Sequence, residues 1–139
     1  MLLPIKTIPI SQLKPHEQIC PDHLLCLQQK ISRDRIFTHP IVIDRTTKII
    51  LDGHHRCQAL KRLGHAKIPC ILVNYRSCQV AIKSRCHQDI DKETVIKHAL
   101  RGKLLRPKAT KHYLRLGSDQ LIPFEKIKTN TKIPLSQLI

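Results

Sequence analysis

Aromatic residues are scarce in this chain: they make up 3% of 139 residues, and tryptophan is absent. Proteins that hold single-stranded nucleic acid by stacking bases on rings need such side chains, so that class is weakened. Glycine is rare too, at 4 residues, which excludes collagen-like and glycine-rich low-complexity chains. No apolar run approaches the roughly 18 residues of a membrane helix. Acidic residues number 10 against 25 Lys and Arg, a formal charge of +15 with histidine neutral. That excess attracts polyanions: nucleic acid, anionic lipid or a phosphorylated small molecule. It also serves solubility alone. Hydrophobic residues reach 41%, which excludes a mostly disordered chain. The length suits one domain, read here as residues 1–116, followed by a tail at 117–139.

Six cysteines stand at positions 20, 26, 57, 70, 78 and 86, and no two form a C-x-x-C pair. The stretch from Met1 to Ile10 lacks a basic-then-apolar signal layout, because Pro4 and Lys6 interrupt it. Reduced thiols and a cytoplasmic location are therefore expected. Cys86-His87 and His54-His55 are the close pairs of metal-ligand type, and neither resembles a closed zinc site.

The order of elements predicts an α/β (α+β) domain, a small mixed sheet with packed helices. Ile5 to Ile10 suits a strand, and Leu13 to Glu17 a loop. Pro21-Asp22 suits a helix start, with Leu24, Leu27 and Ile31 on one face. Pro40 to Asp44 and Lys48 to Leu51 suit the two strands of a hairpin. His54 to Leu63 suits a helix stopped by Gly64, and Ile68 to Val73 a strand. Asp91 suits the N-cap of a helix that turns Val95, Ile96, Ala99 and Leu100 inward and ends at Gly102. Beyond it the chain reads as a basic segment. Ile8-Pro9-Ile10-Ser11-Gln12-Leu13 returns as Ile133-Pro134-Leu135-Ser136-Gln137-Leu138, a match short enough to read as coincidence.

The informative stretch is Ile49-Ile50-Leu51-Asp52-Gly53-His54-His55-Arg56, a buried strand running through glycine into a helix. The first N–H groups of a helix lack partners within it, and the helix dipole makes that end positive. Such an end binds phosphate or carboxylate. Gly53 lets the chain turn closely. His54, His55 and Arg56 crowd donors there, and Arg56 has the geometry to grip a phosphate with two parallel N–H bonds. Asp52 has two readings. It caps the helix, or it holds Mg²⁺ or accepts a proton beside the anion.

Leu13-Lys14-Pro15-His16-Glu17, then Pro40-Ile41-Val42-Ile43-Asp44, then Leu51-Asp52-Gly53-His54-His55-Arg56-Cys57-Gln58-Ala59-Leu60 resembles the ParB/sulfiredoxin superfamily. The Asp-Gly-His-His-Arg form is similar to the free-serine kinase branch, which makes O-phosphoserine with ADP or ATP. Gly102-Lys103-Leu104-Leu105-Arg106-Pro107-Lys108-Ala109-Thr110-Lys111-His112 resembles the late Gly-Lys-x-x-Pro-Pro-Lys-x-Thr-x-His segment of those kinases. The resemblance touches most of residues 5–112.

The resemblance implies a kinase acting on free L-serine with Mg²⁺. Glu17 matches the glutamate assigned as base toward the serine hydroxyl. Asp52 matches the essential aspartate near Mg²⁺ or the reacting hydroxyl. Gly53, His54, His55 and Arg56 match the phosphate-binding turn, and Lys108, Thr110 and His112 the segment that holds serine or phosphoserine. Three departures stand out. Arg106 replaces the first of two prolines, Ser84-Arg85 falls where the kinases offer an aromatic, and the chain is shorter before the late segment. Sulfiredoxin-like chemistry needs a cysteine directly after the turn glycine, where this chain has His54. Partition-type ParB proteins resemble a Gly-Glu-Arg-Arg version of the turn. The alternative function is a non-catalytic ParB-like regulator that binds nucleotide or DNA through its positive charge. Read as isolated residues, Glu17 is an exposed loop acid and residues 103–112 a solvated basic loop.

Overall fold

The computed structural model describes residues 3–85, 88–117, 120–127 and 132–139. In chain order the elements are β1 (Ile5–Pro9), α1 (Pro21–Asp34), β2 (Ile36–Phe37), β3 (Ile41–Asp44), β4 (Ile50–Asp52), α2 (His54–Arg62) and β5 (Lys67–Val73). They continue as β6 (Val80–Ser84), α3 (Lys92–Arg101), β7 (Thr110–Leu116), β8 (Gln120–Pro123) and β9 (Ile133–Pro134). No helix among the described residues is long and apolar enough to cross a membrane.

The main sheet runs β1-β5-β3-β4, with β3 and β5 parallel and the other pairs antiparallel. The inner strands β3 and β5 are buried on both faces, which is why they read as unbroken apolar runs. Ile41, Ile43, Ile50, Cys70 and Leu72 face one core, closed by Leu24 and Ile31 of α1 and Leu60 of α2. Val42, Ile49, Leu51, Ile71 and Val73 face a second core, closed by Val95, Ile96 and Ala99 of α3 and by Leu114 and Phe124. Side chains alternate across a strand, so one sheet serves both cores.

The expected helices and strands form, with Asp91 accepting from Thr94 N–H at 2.8 Å as the α3 cap. Leu100 is a correction: it is 59% exposed rather than inward. It sits one position past the strip that Val95, Ile96 and Ala99 press into the core. Of the alternative reading of 103–112 as a solvated basic loop, the loop holds for 103–109, which lie outside helices and strands, but not beyond, because Thr110 to Leu116 is the central strand of a second sheet, β6-β7-β8.

The hexapeptide match has structural content. After Pro9 and after Pro134 the chain turns into a short 3-10 helix, and both prolines share extended angles near φ −59° and φ −58°. Pro123 makes the same corner before Phe124–Lys126. The corner at Ile10 donates its N–H to Ala66 C=O at 2.8 Å, and Ala66 N–H donates to Leu138 C=O at 2.9 Å. The described parts of 117–139 are thus built into the body: Leu138 lies in the first core and Phe124 in the second.

Candidate active site

β4 leaves the sheet at Asp52, and the chain turns at Gly53 directly into α2. Gly53 has φ +105°, and a Cβ there would stand 2.8 Å from Ile41 Cβ. No side chain caps the start of α2. The capping reading of Asp52 is therefore overturned: its Oδ2 accepts from Arg56 Nη2 at 3.0 Å instead. Burial pushes the Asp52 pKa up and Arg56 opposes this, while Glu125 and Glu17 add to the rise.

Residues 14–18 form a link beside this turn. Ile50 N–H donates to Lys14 C=O at 2.9 Å on one side, and Gln18 N–H donates to Leu105 C=O at 2.7 Å on the other. The link carries Glu17, whose side chain is only 11% exposed, so it is no free loop acid. Glu17 Oε2 accepts the Thr110 N–H at 3.0 Å and the Thr110 hydroxyl in a short bond. His16 Nε2 stands 3.3 Å from the same oxygen. Burial alone would raise the Glu17 pKa. The hydrogen bond and charge of His16, with His54 and Thr110, outweigh it and hold the carboxyl at about 2.

The two histidines of the turn differ from expectation. His54 Nε2 accepts the His16 N–H at 3.1 Å, and His55 Nε2 accepts the Cys20 N–H at 2.8 Å. Burial, then His16, lowers the His54 pKa well below its ordinary value. Burial, then His23 and Lys108, lowers that of His55 to about 4. Both rings are neutral, clamp the 16–20 link onto α2 through Nε2, and carry their proton on Nδ1. Arg56 is engaged as well. Its Nη1 donates to His39 C=O at 2.9 Å while Nη2 holds Asp52, so the expected two-pronged phosphate grip is already occupied.

A cavity of about 400 Å³ opens over these groups. It brings together Glu17, Asp52, Gly53, His54, His55, Arg56, Lys108, Thr110 and His112, which is every site residue expected from the sequence. Among its cations, Arg56 pairs with Asp52 and Lys111 with Glu125 at 3.2 Å. Arg85 and Lys108 are exposed and carry no ion pair among the described residues. His112 is buried, shares a 2.9 Å hydrogen bond between Nε2 and the Tyr75 hydroxyl, and has its pKa pressed to about 3, chiefly by burial and then by His16. No three His, Cys, Asp or Glu among the described residues are placed to share one metal ion. The Cys86-His87 pair lies outside the described residues.

A family model described as the ParB N-terminal domain matches residues 1–85. The chain belongs to this family. An ATP-dependent L-serine kinase of Staphylothermus marinus is 36% identical to this ParB-family chain over 81 residues, 55% of the chain and 32% of the relative. One of Desulfurococcus mucosus is 41% identical over 81 residues with the same coverage. The chain thus spans about a third of the length of the curated relatives it matches. A structure titled as a free serine kinase in complex with AMP superposes with a TM-score of 0.80. It shares 16% identity and covers 99% of this chain and 94% of its own, which shows a common fold. The expected superfamily and α/β architecture are borne out.

Of the polar lining residues, sequence reasoning on this ParB-family domain missed His23, His39 and Glu125. Glu125 had a usable signal. Ile122-Pro123-Phe124 repeats the Ile-Pro-apolar start of the matched hexapeptides, and the corner it makes delivers Phe124 and Glu125 to the cavity. His23 and His39 reach it through tertiary folding alone.

Proposed function

We propose that this ParB-family domain transfers a phosphoryl group from ADP or ATP to the hydroxyl of free L-serine, giving O-phosphoserine. The observation that carries this reading is the meeting of Glu17, Asp52, the uncapped helix start and Lys108 around one cavity. The backbone N–H groups behind Gly53 and the positive end of α2 suit a phosphate. Arg56 serves by fixing Asp52 and the His39–Pro40 backbone. Lys108, which lines the same cavity and carries no ion pair among the described residues, is free to meet the charge of the transferred group or of the amino acid.

Glu17 accepts a hydrogen bond from the serine hydroxyl through Oε1, since its recorded partners all lie on Oε2. The serine oxygen bonds to phosphorus as the bond to the nucleotide's bridging oxygen breaks. Glu17, ionised at neutral pH, orients the hydroxyl and receives its proton late, once the forming ester has made that oxygen acidic. A loose phosphoryl transition state asks for positioning and charge neutralisation more than for a strong base. Thr110 acts by holding Glu17, and His112 forms the buried back wall. Mg²⁺ that arrives on nucleotide phosphates needs only one or two protein carboxylates. Asp52, half-buried with one oxygen engaged by Arg56, suits that role, and Mg²⁺ there would neutralise phosphate charge.

The test supplies the purified protein with Mg²⁺, ADP or ATP, and amino acids one at a time, and follows products by phosphorus NMR. Phosphoserine should form with serine only. Glu17→Gln should cut turnover on the order of a hundredfold or more while nucleotide binding persists. Nucleotide binding without serine-dependent turnover would leave a non-catalytic binding module. Retention of duplex DNA, unaffected by Glu17→Gln, would favour the regulator.

A further inference from the structure

His16 is fully buried at 0% exposure, yet the chemistry just described gives it no part. Its ring bridges three elements. Nδ1 lies 2.7 Å from the Ile50 carbonyl of β4, an acceptor only, so Nδ1 carries a proton and donates it. Nε2 stands 3.1 Å from Thr110 Oγ1 at the start of β7 and 3.3 Å from Glu17 Oε2, a carboxylate oxygen that can only accept, so the ring that holds Oε2 is the imidazolium with a proton on each nitrogen. Its main chain is fixed as well: N–H donates to His54 Nε2 at 3.1 Å and C=O accepts from Leu105 N–H at 2.8 Å. A buried ring with both nitrogens and both peptide groups engaged has no freedom to drift.

We propose that His16 is a positioning residue which, with Thr110, saturates Glu17 Oε2 and so leaves Oε1 as the one carboxylate oxygen presented to the alcohol. The inference rests on the kinase reading for its consequence in turnover, but not for its geometry. The other titratable groups that act on Glu17 or feel its charge are His54 and His55 of α2, Asp52 of β4, His112 of β7 and Tyr75. None of these has a hydrogen bond to the Glu17 carboxylate. Among the titratable groups, loss of His16 is therefore the change that loosens it, with Thr110 as the remaining holder.

Two substitutions separate positioning from bulk. Asn at position 16 can keep the donor to Ile50 while losing the contact to Oε2. Gln places its amide nitrogen nearer the position of Nε2. His16→Asn should lower kcat about tenfold or more, with serine KM and the Kd for ADP changed less than about twofold, and His16→Gln should recover most of the loss. Equal losses in both variants, or ADP binding lost along with kcat, would overturn the proposal. The Glu17 carboxyl, followed by carbon NMR titration, gives a readout that needs no turnover. It should titrate at about 2 in the unsubstituted protein and move toward the ordinary carboxyl range in His16→Asn. An ordinary value in the unsubstituted protein, or no movement in the folded variant, overturns the inference even if serine is never phosphorylated. Absence of serine-dependent turnover in the unsubstituted protein instead counts against the kinase reading alone.

Discussion

At Gly53 the backbone has φ +105°, a region L side chains avoid, and the Ile41 side chain fills the space where a Cβ would go. Gly53→Ala meets both penalties, strain of about 1–3 kcal/mol and overpacking of similar size. Urea unfolding should show a loss of several kcal/mol, and the variant should lose nucleotide binding with it. Glu17 sets a pH dependence of known sign. Its carboxyl pKa is about 2 in the fold against an ordinary 4.5, so its contribution is present above about pH 4.5 and is lost as pH falls toward 2. The full contribution is about 3 kcal/mol, and about 2 kcal/mol of it should be gone by about pH 3. Urea midpoints at about pH 3 and pH 6 should differ less in Glu17→Gln than in the unsubstituted protein. At this scale the sequence named residues that the fold gathers around one cavity, but gave no sign of the backbone partners of His54 and His55. Spacing put them at a helix start, where donors are useful. Only the fold shows that each Nε2 faces a backbone N–H, which requires a neutral ring.

Among elements, α1, α2, α3 and the strands of the main sheet were legible because their apolar periods are plain. β7 was not. Its inward residues Thr110, His112 and Leu114 alternate with outward Lys111, Tyr113 and Arg115, but two of the three inward side chains are polar. Period-2 burial is present without period-2 hydrophobicity, because those inward polar groups serve Glu17 and Tyr75. The hexapeptide match was visible and undervalued, since a proline-led corner needs only Ile-Pro and two apolar anchors. Leu138, an anchor of the last corner, is 1% exposed within the first core. Leu138→Ala should cost about 2–5 kcal/mol in urea unfolding. Leu100→Ala, on an exposed face of α3, should stay within about 0.5 kcal/mol. A similar cost for both would mean that the last corner does not close the core.

Across the whole molecule, the cavity lies where the start of α2, the helix α1, the strand β7 and the Pro123 corner converge. Its charge is mixed, with Glu17, Asp52 and Glu125 against Arg56, Arg85, Lys108 and Lys111, whereas the chain as a whole carries +15. Those two facts separate two kinds of binding. An anion held in the cavity meets a helix terminus and a few cations at short range, which salt screens weakly. A polyanion held by the general surface charge displaces many counterions and weakens steeply, by about 10³–10⁵ between 50 and 200 mM salt for six to ten phosphate contacts. ADP affinity measured by calorimetry from about 50 to about 500 mM KCl should therefore fall by no more than about tenfold. Any retention of duplex DNA should vanish over the same range. Lys108→Ala should weaken ADP binding at every salt concentration, while a charge removed from the far side of α3, Arg101→Ala, should alter only the duplex. ADP binding as salt-sensitive as the duplex, or equally weakened by both substitutions, would mean that the nucleotide is held by the surface field and not by the turn at Gly53.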